Sequence, residues 1–153
     1  IVLTEGGDFD KLGRGFVWDG RIPGMVHQNH VFAVRADQRV ILPHYLGYLI
    51  QSSYAKSYFL TVAHRTTNLA SINSTKLGDF PVPVPTLAEQ QRIVDVLRVV
   101  DHEIRVESGK FAALDALFSS LLYHLMTGKV RVGDAILADV TSGFPGVSIL
   151  ADP

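Results

Sequence analysis

The segment PVPVPTLAEQQRIVDVL, Pro81 to Leu97, decides the fold because its character changes in the middle. Pro81, Pro83 and Pro85 fix φ, remove alternate amide donors and restrict the residue before each of them, so the first half runs extended. Thr86 then offers an N-cap oxygen, and Glu89 follows three residues later, a capping box able to satisfy two orphan amides. The sequence thus places an extended strap directly ahead of a helix that begins at Leu87.

Beyond Leu87 the apolar spacing becomes regular. Ile93, Val100, Leu114 and Leu121 form one heptad series, and Leu97, Ile104, Phe111, Phe118 and Leu125 form the other. Only Glu107 breaks the pattern. This spacing predicts a coiled-coil helix from Leu87 to Thr127, ended by Gly128 as a C′ residue. At ~1.5 Å per residue the helix would be about 60 Å long, too long for a compact domain of this size, so much of it should project. The stripe is broad at both ends, where Val94, Val96, Val99, Leu117 and Leu122 join it. It is narrow in the middle, as for a two-helix seam with docked ends.

Upstream, LGRGFVW (Leu12 to Trp18) and MVHQNHVFAVR (Met25 to Arg35) read as two strands of a hairpin, separated by the turn-forming DGRIPG. Pro43 suits a first helical turn, and Tyr45, Leu46, Leu49, Ile50 and Tyr54 recur at helical spacing, which predicts a helix from His44 to Phe59. The Thr-, Ser- and Asn-rich stretch TVAHRTTNLASINSTKLGDF reads as surface loop and short turns. The expected fold class is α+β: a small mixed sheet and helix unit over residues 1–85, a long helix over 86–128 and an unassigned tail over 129–153.

Composition narrows the function. The 153 residues contain no cysteine, which excludes disulfides and thiolate zinc sites and favours a reducing cytoplasm. No stretch reaches the apolar length of a membrane span. The opening IVLTEGGDFD has neither an initiator Met nor a basic leader, so the chain reads as a piece of a longer one. Net charge is −1, and any nucleic-acid binding must come from uneven distribution. Before Thr86 there are 8 Lys and Arg against 6 Asp and Glu; from Thr86 onward there are 6 against 9.

The run FPVPVPTLAEQQRIVDVLRVVDHEIRVESGKFAALDALFSSLLYHLMTGKVRV, Phe80 to Val132, closely resembles the conserved helical region of the specificity subunit of type I restriction-modification systems. The resemblance rests on the alternating prolines, the LAEQ helix start, the two-stranded coil pattern and the LMTGKVRV ending. GDFDKLGRGFVWDG, HQNHVFAVR and HRTTNLASINSTKLGDF look like the distal part of a target recognition domain of such a subunit. The resemblance implies a non-catalytic DNA-specificity component whose recognition domain reads one half of a bipartite double-stranded site. Its long helix would set the half-site distance and carry methyltransferase (modification) subunits, with a restriction subunit completing the complex. A second recognition domain and helix would come from the same subunit or from dimerisation. No cofactor is implied.

DNA reading needs cations for phosphates and fork-shaped amide or guanidinium groups for base edges. Arg65 and Asn68 can address guanine or adenine, and Thr66, Thr67, Ser71 and Asn73 suit phosphate or base contacts. Taken on residues alone, the same stretch is a solvated turn whose side chains cap backbone; the resemblance tips the reading toward DNA. Lys11, Arg14 and Arg21, interleaved with Phe16 and Trp18, form a second candidate surface, and Gln28 and His30 a third, sharing one face of a strand. Two alternatives stand beside this reading. One is a coiled-coil adaptor without DNA contact; the other is a nuclease with a metal held by His27, His30, His44 and His64, for which the spacing offers little support.

Overall fold

A computed structural model describes residues 1–133; the expectation for the tail beyond 133 lies outside the described residues. The chain divides into two units, Ile1–Val100 and a second that begins at Asp101. In the first, β1 (Val2–Thr4) is the centre of a three-stranded antiparallel sheet, flanked by β3 (Gly15–Phe16) and β4 (Val31–Ala33). A second antiparallel sheet has the order β2 (Gly6–Gly7), β6 (Ala70–Ser71), β5 (His64–Arg65). Helices α1 (Pro43–Gln51), α2 (Ser53–Val62) and α3 (Ser74–Gly78) complete the unit, and α4 (Leu87–Met126) runs on from it.

The α+β class holds, but three local expectations are corrected. The segments 12–18 and 25–35 do not pair with each other: Val2 lies between them, opposite both Phe16 and Ala33. Glycine makes this insertion possible. A Cβ at Gly15 would sit 2.5 Å from the Leu3 Cβ, and one at Gly13, whose φ is +67°, would sit 2.5 Å from the Phe59 ring. The HQNH stretch is not strand either. His30 has φ +69° and closes a turn, its carbonyl accepting the Glu5 amide at 2.9 Å, so the strand starts only at Val31. Finally, the helix expected over His44–Phe59 is broken at Ser52, which is extended (φ −72°, ψ 159°). Its hydroxyl donates to the Leu49 carbonyl at 2.6 Å and accepts from the Ala55 amide at 3.3 Å, ending α1 and capping α2.

Leu3, Leu12, Leu46, Ile50, Ala55, Phe59, Ala70, Ile72 and Phe80 form the core. The proline strap lies against it. Pro81 and Pro83 bring carbonyls but no amides, so at these two positions the strap can only accept hydrogen bonds, and tyrosines on the helices supply the donors. Tyr45 donates to the Pro83 carbonyl at 3.0 Å and Tyr54 to that of Pro81 at 2.9 Å, each bond contributing about 1 kcal/mol. Burial pushes the Tyr45 phenol upward, with Glu89 adding to the shift, so it stays a donor at neutral pH.

The Thr86 half of the capping box forms at the helix start, Thr86 Oγ1 accepting the Glu89 amide at 3.3 Å. One turn further lies Gln90, whose side chain is fully buried. Its Oε1 accepts the Leu42 amide at 2.8 Å, while Nε2 donates to the Val40 carbonyl at 3.0 Å and the Pro85 carbonyl at 2.8 Å. This single amide joins the strap, the first turn of α4 and the chain leading into α1. At the far end Gly128, with φ +69°, donates to the Leu125 carbonyl at 3.1 Å, the C′ role expected of it. Along the helix, Phe111, Leu114 and Phe118 are 73%, 64% and 65% exposed. No described helix is long and apolar enough to cross a membrane.

Candidate nucleic-acid interface

The candidate residues near Arg65 fall on a β5–β6 hairpin. His64 pairs with Ser71 and Arg65 with Ala70, leaving Thr67 and Asn68 at the tip. Neither tip residue takes a positive φ, so the primed turns of tight hairpins are not available. A hydroxyl closes the loop instead: the Thr66 amide donates to the Leu69 carbonyl at 2.8 Å, and the Leu69 amide donates to Thr66 Oγ1 at 3.3 Å. Thr67 and Asn68 are exposed, and among the described residues their side chains have no hydrogen-bond partner.

Alternation along β5 sends neighbours to opposite sides. His64 and Thr66 face a groove of about 400 Å³ that Glu5, His30 and Ser71 also line. Arg65 turns the other way, donating to the Leu60 carbonyl near the end of α2 and stacking over Phe9 at 5.8 Å from the ring centroid. That places Arg65 beside the turn carrying Lys11 and Arg14, because Lys56 ties the same turn down by donating to the Phe9 and Leu12 carbonyls. Asn73 is exposed, accepts the Lys76 amide at 2.9 Å and caps α3.

The structure therefore brings Thr66, Thr67, Asn68 and Ser71 together on the hairpin, with His30 across the groove and Arg65, Lys11 and Arg14 on the flank. Arg21 and Gln28 belong to a stretch from Arg21 to His30 that is exposed throughout and do not line that groove. Three of the candidate cations have a nearby acid: Lys11 with Asp8, Arg14 with Asp10 at 3.3 Å, and Arg21 with Asp19 at 2.7 Å. The Lys11 ammonium holds the Asp8 carboxyl below the usual range, and the Arg21 guanidinium does the same for Asp19. These pairs are solvated and weak, so a phosphate can take the acid's place.

The four histidines do not gather as one set: His30 and His64 line the same groove, while His27 and His44 lie outside it. His30 contacts Glu5 at 3.0 Å, His27 contacts the Gln28 carbonyl at 3.1 Å, and His44 lies in a different groove with Trp18, Gln91 and Arg98. Burial, with Arg98 nearby, lowers the His44 pKa. Among the described residues no three His, Asp or Glu side chains gather as metal ligands. Sequence reasoning missed Phe9 as the platform for Arg65; nothing in DFD marks an aromatic as a partner for a residue 56 positions away. Gln90 was legible only as part of a helix start.

The fold defines an α+β unit whose strap leads into a long helix with an exposed apolar stripe. The model of the type I restriction modification DNA specificity domain matches residues 21–116, more than half of the chain, and the chain belongs to that family. It is 27% identical over 130 residues to a specificity subunit assigned to the type I restriction enzyme MjaX of Methanocaldococcus jannaschii, covering 85% of this chain and 31% of the relative. It is 39% identical over 72 residues to the type I restriction enzyme EcoR124I/EcoR124II specificity subunit of Escherichia coli, covering 42% of this chain and 17% of the relative. The chain thus spans less than a third of the length of either. No solved structure matches.

Proposed function

We propose that this chain supplies DNA sequence specificity to a type I restriction-modification assembly, with residues 1–85 reading one half of a bipartite double-stranded site. The observation that carries the reading is the β5–β6 tip: a hairpin closed by backbone and hydroxyl hydrogen bonds with Thr67 and Asn68 exposed at its end, in a member of a DNA-specificity family. An Asn amide at such a tip suits adenine N6 and N7 in the major groove, and Arg65 can leave its carbonyl for a guanine edge. Lys11, Arg14 and Arg21 would exchange their carboxylates for phosphates. The helix over 86–128 would act as spacer and assembly surface, pairing through Ile93, Leu97, Val100, Ile104, Phe111, Leu114, Phe118, Leu121 and Leu125. Methyltransferase and restriction subunits would supply the chemistry, in the cytoplasm, while this chain catalyses nothing.

The test contrasts two kinds of substitution in a reconstituted assembly presented with a library of bipartite sites at fixed salt. Asn68→Ala and Arg65→Ala should relax preference at one or two positions, since a lost bidentate contact costs roughly 1–3 kcal/mol of discrimination. Lys11→Ala should weaken binding to all sequences alike and lower the salt dependence, because a phosphate contact carries no sequence information. If both hairpin variants keep the parental preference and affinity, the hairpin does not read bases. A chain that binds its partner subunits but contributes no preference at all is an adaptor.

A further inference from the structure

Glu5 joins the two sheets of the first unit. It lies between β1 and β2, its amide donating to the His30 carbonyl at 2.9 Å and its carbonyl accepting the Ile72 amide at 2.9 Å. With its backbone held from both sides, its side chain meets His30 a second time, Oε2 lying 3.0 Å from His30 Nδ1. His30 has φ +69°, a conformation that glycine adopts without strain, so the turn by itself does not require an imidazole. The clasp leaves the His30 side chain 84% exposed beside the groove that Gly6, Gly7, Thr66 and Leu69 also line. A carboxylate accepts and does not donate, so Nδ1 carries the proton, and in the neutral ring Nε2 is left as a lone-pair acceptor. A carboxylate also repels phosphates, so this side of the groove suits a base edge and not the DNA backbone.

Resting on the reading of residues 1–85 as a DNA-reading unit, we infer that His30 determines specificity at one position of the half-site, its Nε2 accepting from the amino group of an adenine or a cytosine, and that Glu5 is the positioning residue that fixes the ring and its tautomer. In the major groove adenine N6 and cytosine N4 present amino donors, whereas guanine O6 and N7 and thymine O4 present acceptors. An acceptor on His30 therefore pairs with the first two bases and faces another lone pair on the last two.

Two measurements test this, both at fixed, mildly alkaline pH and fixed salt. Long-range proton–nitrogen NMR of the full chain should show His30 protonated at Nδ1, and Glu5→Gln, whose amide can donate as well as accept, should give a mixture of tautomers. In the reconstituted assembly presented with a library of bipartite sites, one position should favour adenine or cytosine over guanine or thymine by about fivefold, the worth of one hydrogen bond. His30→Gly, which suits the positive φ and keeps the turn, should abolish that preference, and Glu5→Gln should admit guanine or thymine at the same position. A parental ring protonated at Nε2 overturns the inference. So does loss of the preference in Glu5→Gln but not in His30→Gly, since Glu5 would then touch the base itself. If Asn68→Ala relaxes its own position while His30→Gly changes none, this inference fails and the DNA reading stands; if no variant changes any preference, both fail.

Discussion

Gln90→Ala should destabilise the Ile1–Val100 unit by about 3 kcal/mol or more. The substitution leaves the Leu42 amide and the Val40 and Pro85 carbonyls without their common partner, in a place where the Gln90 side chain has no solvent exposure. Each buried polar group so orphaned costs about 1–3 kcal/mol, and partial entry of water keeps the total below the full sum. Gln90→Glu separates hydrogen bonding from shape. Its carboxylate would face two carbonyl oxygens, so burial and repulsion would raise its pKa in the folded state. Even protonated, its single O–H serves only one of the two carbonyls, so a loss of about 1–3 kcal/mol would remain below the unfolded value of about 4.3 and would grow as pH rises through the folded value. Urea unfolding followed by Trp18, the single tryptophan, reads both effects, since Trp18 shares a groove with Gln91 and Val94. A midpoint for Gln90→Ala within error of the parent would mean that the amide does not hold the start of α4.

Phe80→Ala should cost about as much, roughly 3–5 kcal/mol, through a different cause. Phe80 is buried at the head of the proline strap, its ring centroid 5.6 Å from Tyr54 and 5.2 Å from both Tyr58 and Phe59. Truncation removes that burial and leaves a cavity that three rings, two of them tethered by their hydroxyls to Pro81 and Lys76, cannot readily fill. Phe80→Leu, which keeps most of the volume, should cost less than half as much. Val84→Ala, on the exposed side of the same strap, should stay within about 0.5 kcal/mol of the parent. Equal losses from Phe80→Ala and Val84→Ala in denaturant titrations would contradict the packing described for the strap.

Both substitutions act at the ends of the stretch that was most legible in the sequence. The strap, the Thr86 cap, the long helix and Gly128 could be read because proline chemistry, capping and heptad spacing are local signals, repeated over many residues. The sheets could not. Strands of two or three residues are too short for alternation to register, and the central strand Val2–Thr4 pairs with partners drawn from two distant segments. The break at Ser52 was hidden because apolar spacing continues across it, although a serine beside a helix start is an ordinary capping signal. At the candidate interface, local chemistry again carried through: Thr66 and Asn73 do serve the backbone, as their type and setting allow. The stacking of Arg65 on Phe9 depends on how distant segments are assembled, which no spacing reveals.

The claim that the first unit reads DNA while the helix does not is tested most directly by exchanging residues 1–80 for the corresponding segment of another family member, keeping α4 intact. The chimaera is reconstituted with the methyltransferase subunits, and its preferred bipartite site is determined by selection from a random library. The account predicts that one half-site changes to that of the donor while the other half-site and the spacing between them are retained. An unchanged half-site pair, or an altered spacing with both half-sites kept, would contradict it.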